Sequence, residues 1–434
     1  MGEIRIGLLG CGVVGQGVMA LLSEHAASIE ARLGTRLSVS AVAVRDLERD
    51  RGPHVPAQLL TREVERVVEA ADVDIAVELM GGLDPAGDYV QRALAAGKSV
   101  VTANKALIAD RGHALIEQAE GAGCDLYFEA AVAGGVPVLR VLREALASDR
   151  VTALRGIING TSNYILSRMQ SEGMEFAQAL AEAQAAGYAE ADPTLDVGGG
   201  DAAHKLLILA TLAFGKRIAL DSVATEGIDR VAALDIEFAR RFGYVIKPLS
   251  IARQLEGDAL ELRVHPALVD RRDPLAHMDG ALNAVQIEGA GVGPCLLSGL
   301  GAGSLPTAVS VLSDIIDVAR NHLCDGRGRV PARAFAGASL GQASARDMAE
   351  HHGRYYLRFS VRDQSGVLGQ LATALGARDV SIEQMVQEGR GAEQPVSVVL
   401  LTHPAREGDV RAALAEIDAF DVVVEPTCVL RIEE

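Results

Sequence analysis

Residues 4–9 (Ile4, Arg5, Ile6, Gly7, Leu8, Leu9) form a short apolar run; Gly10-Cys11-Gly12-Val13-Val14-Gly15 follows, and a helical apolar period then continues to about Ile29. The pattern predicts a strand, a glycine turn and a helix. Further buried runs, "LSVSAVAV" (37–44), "DIAVELM" (74–80), "SVVTA" (99–103) and "CDLYFEAAV" (124–132), alternate with helical stretches. Strands alternating with helices predict an α/β, doubly wound parallel sheet. From about 138 to 300 the pattern changes, and "VTALRGIING", "VIKPLSIARQ", "LELRVHPALV" and "LNAVQIEG" read as strands of an α+β unit. "GAGSLPTAVSVLSDIIDVAR" (301–320) is a glycine turn leading into an amphipathic helix, expected to pack back on the first domain. Residues 326–353 are small, polar and aperiodic and read as a linker. Beyond them the order strand 355–361, helix 366–377, strand 380–388, strand 395–402, helix 406–418, strand 421–431 is the βαββαβ order of a ferredoxin-like module. The expected domains are therefore 1–137, an α/β unit joined by helix 304–320; 138–303, an α+β unit taken as the substrate and subunit-contact domain; a linker, 326–353; and 354–434.

A chain of 434 residues is too long for one core, which agrees with several domains. Its formal charge of −17 and the absence of any Lys/Arg-rich run argue against nucleic acid or an anionic membrane as partner. Small molecules and copies of the same chain remain. The five cysteines, Cys11, Cys124, Cys295, Cys324 and Cys428, are odd in number and show no CxxC pairing, so neither a disulfide framework nor a zinc site is expected. The start lacks a basic signal-like region and no uncharged run of about 18 residues occurs. A cytoplasmic protein is the simplest expectation. The ten histidines form no HExxH spacing.

The glycine turn sits between strand and helix, where G-x-G-x-x-G is a dinucleotide fingerprint. Gly10 permits the tight turn, Gly12 admits a pyrophosphate to the positive helix end, and Gly15 allows close packing; a purely structural turn is the competing account. The expected fold is thus Rossmann-type. After the second strand stands Arg45, where an acidic residue is usual for NAD; a guanidinium suits a 2′-phosphate, so NADP(H) is favoured over NAD(H), with Asp46 and a solvated Arg45 speaking against it. Lys105 follows a strand end, where open α/β sheets place ligands, and a surface lysine is the alternative. On a helix starting near Asp201, Lys205 lies one turn on, beside Leu206, Leu207, Ile208 and Leu209. Such an ammonium is partly shielded: Asp201 and Glu190 favour its charge, while burial and the helix N-terminus oppose it. The reading is a proton donor, against a snorkelling lysine paired with Asp201.

Taken together, "GLLGCGVVGQGV", "SVVTANKALIA", "YFEAAVAGGVPV", "GIINGTSNYIL", "AGYAEADPTLDVGGGDAAHKLLILA" and "GLGAGSLPTAVSVLSDI" resemble homoserine dehydrogenases, over essentially the whole chain. The resemblance implies NAD(P)-dependent interconversion of L-aspartate 4-semialdehyde and L-homoserine, a step towards threonine, isoleucine and methionine. It further implies Lys205 as proton donor, Lys105 as a substrate- and cofactor-contacting lysine, Glu190 as the substrate-binding glutamate and Asp201 as the aspartate that orients substrate. Tyr188, Asp196, Gly160 and Thr161 match the substrate pocket, and Val13, Val14, Gly81 and Gly303 match cofactor-binding turns. A sodium-type cation is implied at Glu129 with the carbonyls of Val132, Gly134 and Val136, against an ion-paired Glu129. With no kinase segment before the first strand, the monofunctional form is expected. "SVRDQSGVLGQLATAL" resembles an ACT domain, which implies Gly366 as the approach point of an amino-acid effector, L-threonine by expectation, at an interface of a homodimer or homotetramer. A purely structural dimer contact is the competing account.

Two rivals follow from the residues. An oxidoreductase working through a thioester needs an activated cysteine beside a base, and neither Cys124 nor Cys295 has such a setting. A non-catalytic amino-acid sensor has no use for a shielded proton donor.

Overall fold

The computed structural model describes residues 3–388 and 395–433. Residues 1, 2 and 434, at the outer ends of the first and last predicted domains, and 389–394 within the last, lie outside the described residues. Two compact units emerge: Met1–Ile158 with Ala202–Ser222 and Leu282–Ala343, and Asn159–Asp201 with Val223–Ala281 and Ser344–Glu434.

In the first unit six parallel strands, β1 (Ile4–Leu9), β2 (Leu37–Ala43), β3 (Leu60–Thr61), β4 (Ile75–Glu78), β5 (Ser99–Thr102) and β6 (Leu126–Tyr127), form a sheet of order β3-β2-β1-β4-β5-β6. This is the Rossmann order, which places a topological switch beside β1. Ile6, Leu8, Ile75 and Val77 are buried, as a parallel sheet covered on both faces requires. Helix Ser304–Leu323 contributes Ala308, Val311 and Ile315 to the same core. It approaches helix Val13–Glu24 closely, because a Cβ on Gly17 would lie 2.7 Å from the carbonyl and hydroxyl oxygens of Ser304.

Three local expectations change. The first helix ends at Glu24 and a second, Ala26–Leu33, begins after His25. Only Leu126–Tyr127 of the run 124–132 is strand; beyond it the Glu129 N–H donates to Asp314 Oδ2 at 2.7 Å, so the backbone leaves the ladder for a 3₁₀ turn, Glu129–Ala131. Gly293–Leu300 is an additional strand, antiparallel to Leu282–Gly289, which pairs in turn with Val151–Ile157. Its small residues and half-exposed alternation hide the strand signal.

In the second unit, helices Gly160–Glu172, Phe176–Ala185 and Ala233–Arg241 pack around Ile165, Phe238 and Ile246. Tyr244–Gln254 and Ala259–Asp270 are long antiparallel strands. The C-terminal segment has the expected βαββαβ order: His352–Val361, Val367–Gly376, Ile382–Glu388, Val396–Thr402, Glu407–Ile417 and Val423–Glu433. Val423–Glu433 also pairs in parallel with Ala259–Asp270, through Ala267↔Arg431 to Val269↔Glu433, so this module continues a neighbouring sheet. Residues 326–353, read as linker, are held rather than loose: Gly328 N–H donates to Asp125 Oδ1 at 2.9 Å, Arg333 is buried, Gly341–Gln342 and Ser344–Ala345 are short strands, Met348–Glu350 is a 3₁₀ turn, and strand His352–Val361 begins inside the stretch.

Candidate functional site

At the C-terminal end of β1, Gly10 has a left-handed backbone (φ 92°) that brings the chain against Leu79, and a Cβ there would meet the Leu79 carbonyl at 3.0 Å. Gly12 has open space where a Cβ would stand, and the helix that starts at Val13 carries no side-chain cap and no acid in its first turn. These are uncapped N–H groups beneath an open cradle, which suits an anion such as a dinucleotide pyrophosphate. Gly15 is buried against the Gly10 carbonyl. Val13 and Val14 lie at the helix start, and Ser304 Oγ donates to the Val13 carbonyl at 2.8 Å, fixing the turn at Gly303 (φ 121°) beside them. Arg45 stands exposed beyond β2.

A buried carboxylate that the sequence reading passed over organises the next two loops. Glu78 Oε1 accepts from the N–H groups of Met80 (2.7 Å) and Gly81 (3.1 Å), while its Oε2 accepts from the Thr102 hydroxyl at 2.6 Å. Thr102 Oγ1 accepts the Asn104 N–H, and Asn104 donates its amide to the Gly82 carbonyl at 2.6 Å and caps helix Lys105–Ala122 by accepting from Leu107 N. Gly81 and Lys105 are thus positioned by one hydrogen-bonded chain at the sheet's ligand-binding edge. A charge inside the apolar run "DIAVELM" was the signal, since a buried carboxylate needs donors.

Lys205 lies on helix Gly200–Phe214, one turn beyond Asp201. Its half-buried side chain donates from Nζ to the Ile158 carbonyl at 2.8 Å, an oxygen that also accepts Asn283 Nδ2 at 3.2 Å. In the second unit Asn159 gathers the acids: its Nδ2 donates to Asp196 Oδ1 at 2.7 Å and to Asp201 Oδ2 at 2.8 Å, while its Oδ1 caps helix Gly160–Glu172 through Ser162 N. Asp201 is 1% exposed. Gly160 opens that helix, and Thr161 Oγ1 donates to the Tyr188 carbonyl at 2.7 Å. The exposed Tyr188 ring lies 4.5 Å from that of Tyr164. Glu190 is exposed on the same loop, which Gln184 holds through the Glu190 carbonyl at 3.1 Å. Of the predicted residues in this unit, the structure therefore brings Asp196 and Asp201 onto Asn159 just before the helix that Gly160 opens, joins Thr161 to the Tyr188 carbonyl, and holds the Glu190 backbone through Gln184.

Family models for "Homoserine dehydrogenase, NAD binding domain", "Homoserine dehydrogenase" and "ACT domain" match residues 10–129, 137–316 and 355–421. The chain is 43% identical to a homoserine dehydrogenase of Neisseria gonorrhoeae, covering 100% of this chain and 99% of that one. The chain belongs to the homoserine dehydrogenase family. It is accordingly an oxidoreductase with a nicotinamide-cofactor domain. Among solved structures, a homoserine dehydrogenase from Thiobacillus denitrificans superposes with a TM-score of 0.92 at 44% identity, over 100% of this chain and 99% of that one. A hyperthermophilic archaeal homoserine dehydrogenase in complex with NADPH superposes with a TM-score of 0.62 at 25% identity, over 73% of this chain and 98% of that one.

The remaining family positions lie apart from these networks. Glu129 is 1% exposed; its oxygens accept the N–H groups of Leu139 (2.9 Å) and Arg140 (2.8 Å), and burial together with Asp314 pushes its carboxyl up to about 7. Val132, Gly134 and Val136 are buried on the bend that follows, where Ala133 (φ 55°) and Gly134 (φ 53°) are both left-handed. The Gly134 carbonyl accepts from Ser310 Oγ and that of Val136 from Val138 N. The segment offers oxygens only, the set a hard cation takes, although much of its capacity is already engaged. Among the described residues no group of three or more His, Cys, Asp or Glu side chains is arranged for a metal. Gly366 caps helix Val367–Gly376 in a left-handed conformation (φ 92°) with open space above it. No helix among the described residues is long and apolar enough to cross a membrane.

Proposed function

We propose that this homoserine dehydrogenase interconverts L-homoserine and L-aspartate 4-semialdehyde with Lys205 as the proton-transfer group. The observation that carries the reading is Lys205 Nζ, held 2.8 Å from the Ile158 carbonyl on the helix that also bears buried Asp201. The nicotinamide supplies the hydride in one direction and takes it up in the other. Lys205 gives its proton to the carbonyl oxygen as it becomes an alkoxide, and recovers one from the alcohol in reverse. Asp201 orients substrate, Glu190 and Asp196 compensate the substrate ammonium, and Gly160, Thr161 and Tyr188 line its site. Lys105 contacts both substrate and cofactor. Gly10, Gly12, Val13, Val14, Gly15, Gly81 and Gly303 hold the dinucleotide, in keeping with the open cradle over Gly12.

NADP(H) is favoured by exposed Arg45 and by the NADPH complex of the archaeal relative. Glu129 with the carbonyls of Val132, Gly134 and Val136 is assigned to a sodium-type cation, supported by the buried, oxygen-only bend. Threonine feedback is assigned to the C-terminal module at Gly366, in a homodimer or homotetramer, and a cytoplasmic location agrees with five free cysteines. Cofactor binding is assigned to 1–137 with helix 304–320, catalysis and dimerisation to 138–303, and regulation to 354–434. A spectrophotometric assay of homoserine oxidation with NADP and NAD, with and without millimolar threonine and sodium, tests these assignments together. Lys205→Ala is expected to lower turnover by about 10²-fold or more with homoserine KM little changed; near-normal turnover overturns the role of Lys205.

A further inference from the structure

Lys205 shares its anchor. The Ile158 carbonyl that accepts its ammonium at 2.8 Å also accepts the side-chain amide of Asn283 at 3.2 Å, and all three residues belong to the first unit. Asn283 stands on strand Leu282–Gly289, whose register pairs Ala284 with Ile157. That register sets Asn283 across from Ile158, one step past the last pair of the ladder. Asn283 is fully buried. Gly301 makes the room, because a Cβ there would overlap Asn283 Cγ, Oδ1 and Nδ2 together.

The direction of this amide is fixed. Turned over, it would set Oδ1 against the carbonyl oxygen, acceptor against acceptor, so Nδ2 donates and Oδ1 is left buried without a donor. A buried acceptor left unpaired lowers stability, and a leucine of similar shape would avoid that loss. The amide gives in return a second hold on the Ile158 carbonyl, just beyond strand Val151–Ile157. Lysine carries its ammonium on a flexible four-carbon stem, so the ammonium is placed only as well as the oxygen it donates to. Misplacing a reacting group by about 1 Å costs up to about 10²-fold in rate. We propose that Asn283 is a positioning residue for the reaction: it fixes the Ile158 carbonyl, and through that oxygen holds the Lys205 ammonium in the place from which it transfers a proton. The inference rests on the reading of Lys205 as the proton-transfer group.

The test is a double-mutant cycle on Asn283→Leu and Lys205→Ala in the full chain, read by steady-state kinetics, solvent isotope effects and thermal melts. Asn283→Leu is expected to lower kcat about tenfold while homoserine and cofactor KM stay within about twofold. It is expected to raise the solvent isotope effect on kcat, as proton transfer slows, and to leave the melting temperature unchanged or higher, because the unpaired oxygen is gone. In the Lys205→Ala background the same substitution is expected to change kcat by less than about twofold, since the two residues act as a unit. If Asn283→Leu fails to fold, Asn283→Ala, which adds no bulk beside Gly301, carries the same cycle. A normal kcat in the Asn283 variant beside an impaired Lys205→Ala overturns this inference alone, and so does an equal loss in both backgrounds. Near-normal turnover of Lys205→Ala overturns the reading of Lys205 and this inference with it.

Discussion

Asn159 shows how much a single amide decides. Its Nδ2 bridges two carboxylates and its Oδ1 caps a helix, so no rotamer change relieves one bond without breaking another. Asn159→Ala is expected to lower stability by about 1 kcal/mol through the lost cap and to raise homoserine KM roughly tenfold as Asp196 and Asp201 drift apart. Asn159→Asp keeps a capping oxygen but sets a third carboxylate beside two others, so it is expected to restore the melting temperature and not KM. Thermal melts beside steady-state kinetics separate the two effects, and equal recovery of both would falsify the positioning role. The cap was missed, because "VTALRGIING" reads as strand through Gly160, whereas the strand ends at Ile157 and Asn159 already caps the next helix. The bridge was missed too, because its partners lie 37 and 42 residues away and only the fold brings them in.

Elements were legible where apolar periodicity ran unbroken, as in β1, the helix from Ser304 and the C-terminal βαββαβ order. They were obscured where side chains capture the backbone, as Asp314 does at Glu129, or where small residues carry a strand, as in Gly293–Leu300. Close packing between elements leaves a fainter mark still. Gly17 reads as an ordinary helix glycine, yet only its missing Cβ lets helix Val13–Glu24 approach Ser304, whose hydroxyl ties down the Val13 carbonyl. Gly17→Ala gains helix propensity but meets two oxygens at 2.7 Å and Ala308 Cβ at 3.0 Å. The clash wins: a loss of about 1–3 kcal/mol is expected, with a several-fold rise in cofactor KM because the glycine turn moves with the helix. Denaturant unfolding and cofactor titration check this, and a stabilised variant with unchanged KM contradicts it.

At the scale of the whole molecule, a chain carrying a formal charge of −17 takes some of its acids inside. The second unit buries a connected set where Ala259–Asp270 meets Val423–Glu433. Arg263 Nε donates to Glu261 Oε1 at 2.9 Å and its Nη1 donates to Glu433, His351 Nδ1 stands 3.2 Å from Glu261 Oε2, and Arg431 pairs with Glu407 and Glu226. Burial raises the Glu261 carboxyl, but His351 and Arg263 outweigh it and bring it down to about 2. A carboxyl whose folded pKa lies below its unfolded one binds fewer protons when folded. Its contribution is complete above the ordinary glutamate range and is lost as pH falls from about 5 towards 2. With only 6% of the Glu261 side chain exposed, solvent screens little of this. Glu261→Gln is expected to lower stability at pH 6, where Arg263 keeps only Glu433 as a carboxylate partner. It is also expected to shrink the loss of unfolding free energy between pH 6 and pH 3 by roughly 2 kcal/mol. Urea titrations of both proteins at the two pH values measure that difference directly. An unchanged pH slope would mean that Glu261 holds its proton equally in both states, and that acid sensitivity arises from the other buried carboxylates of the cluster.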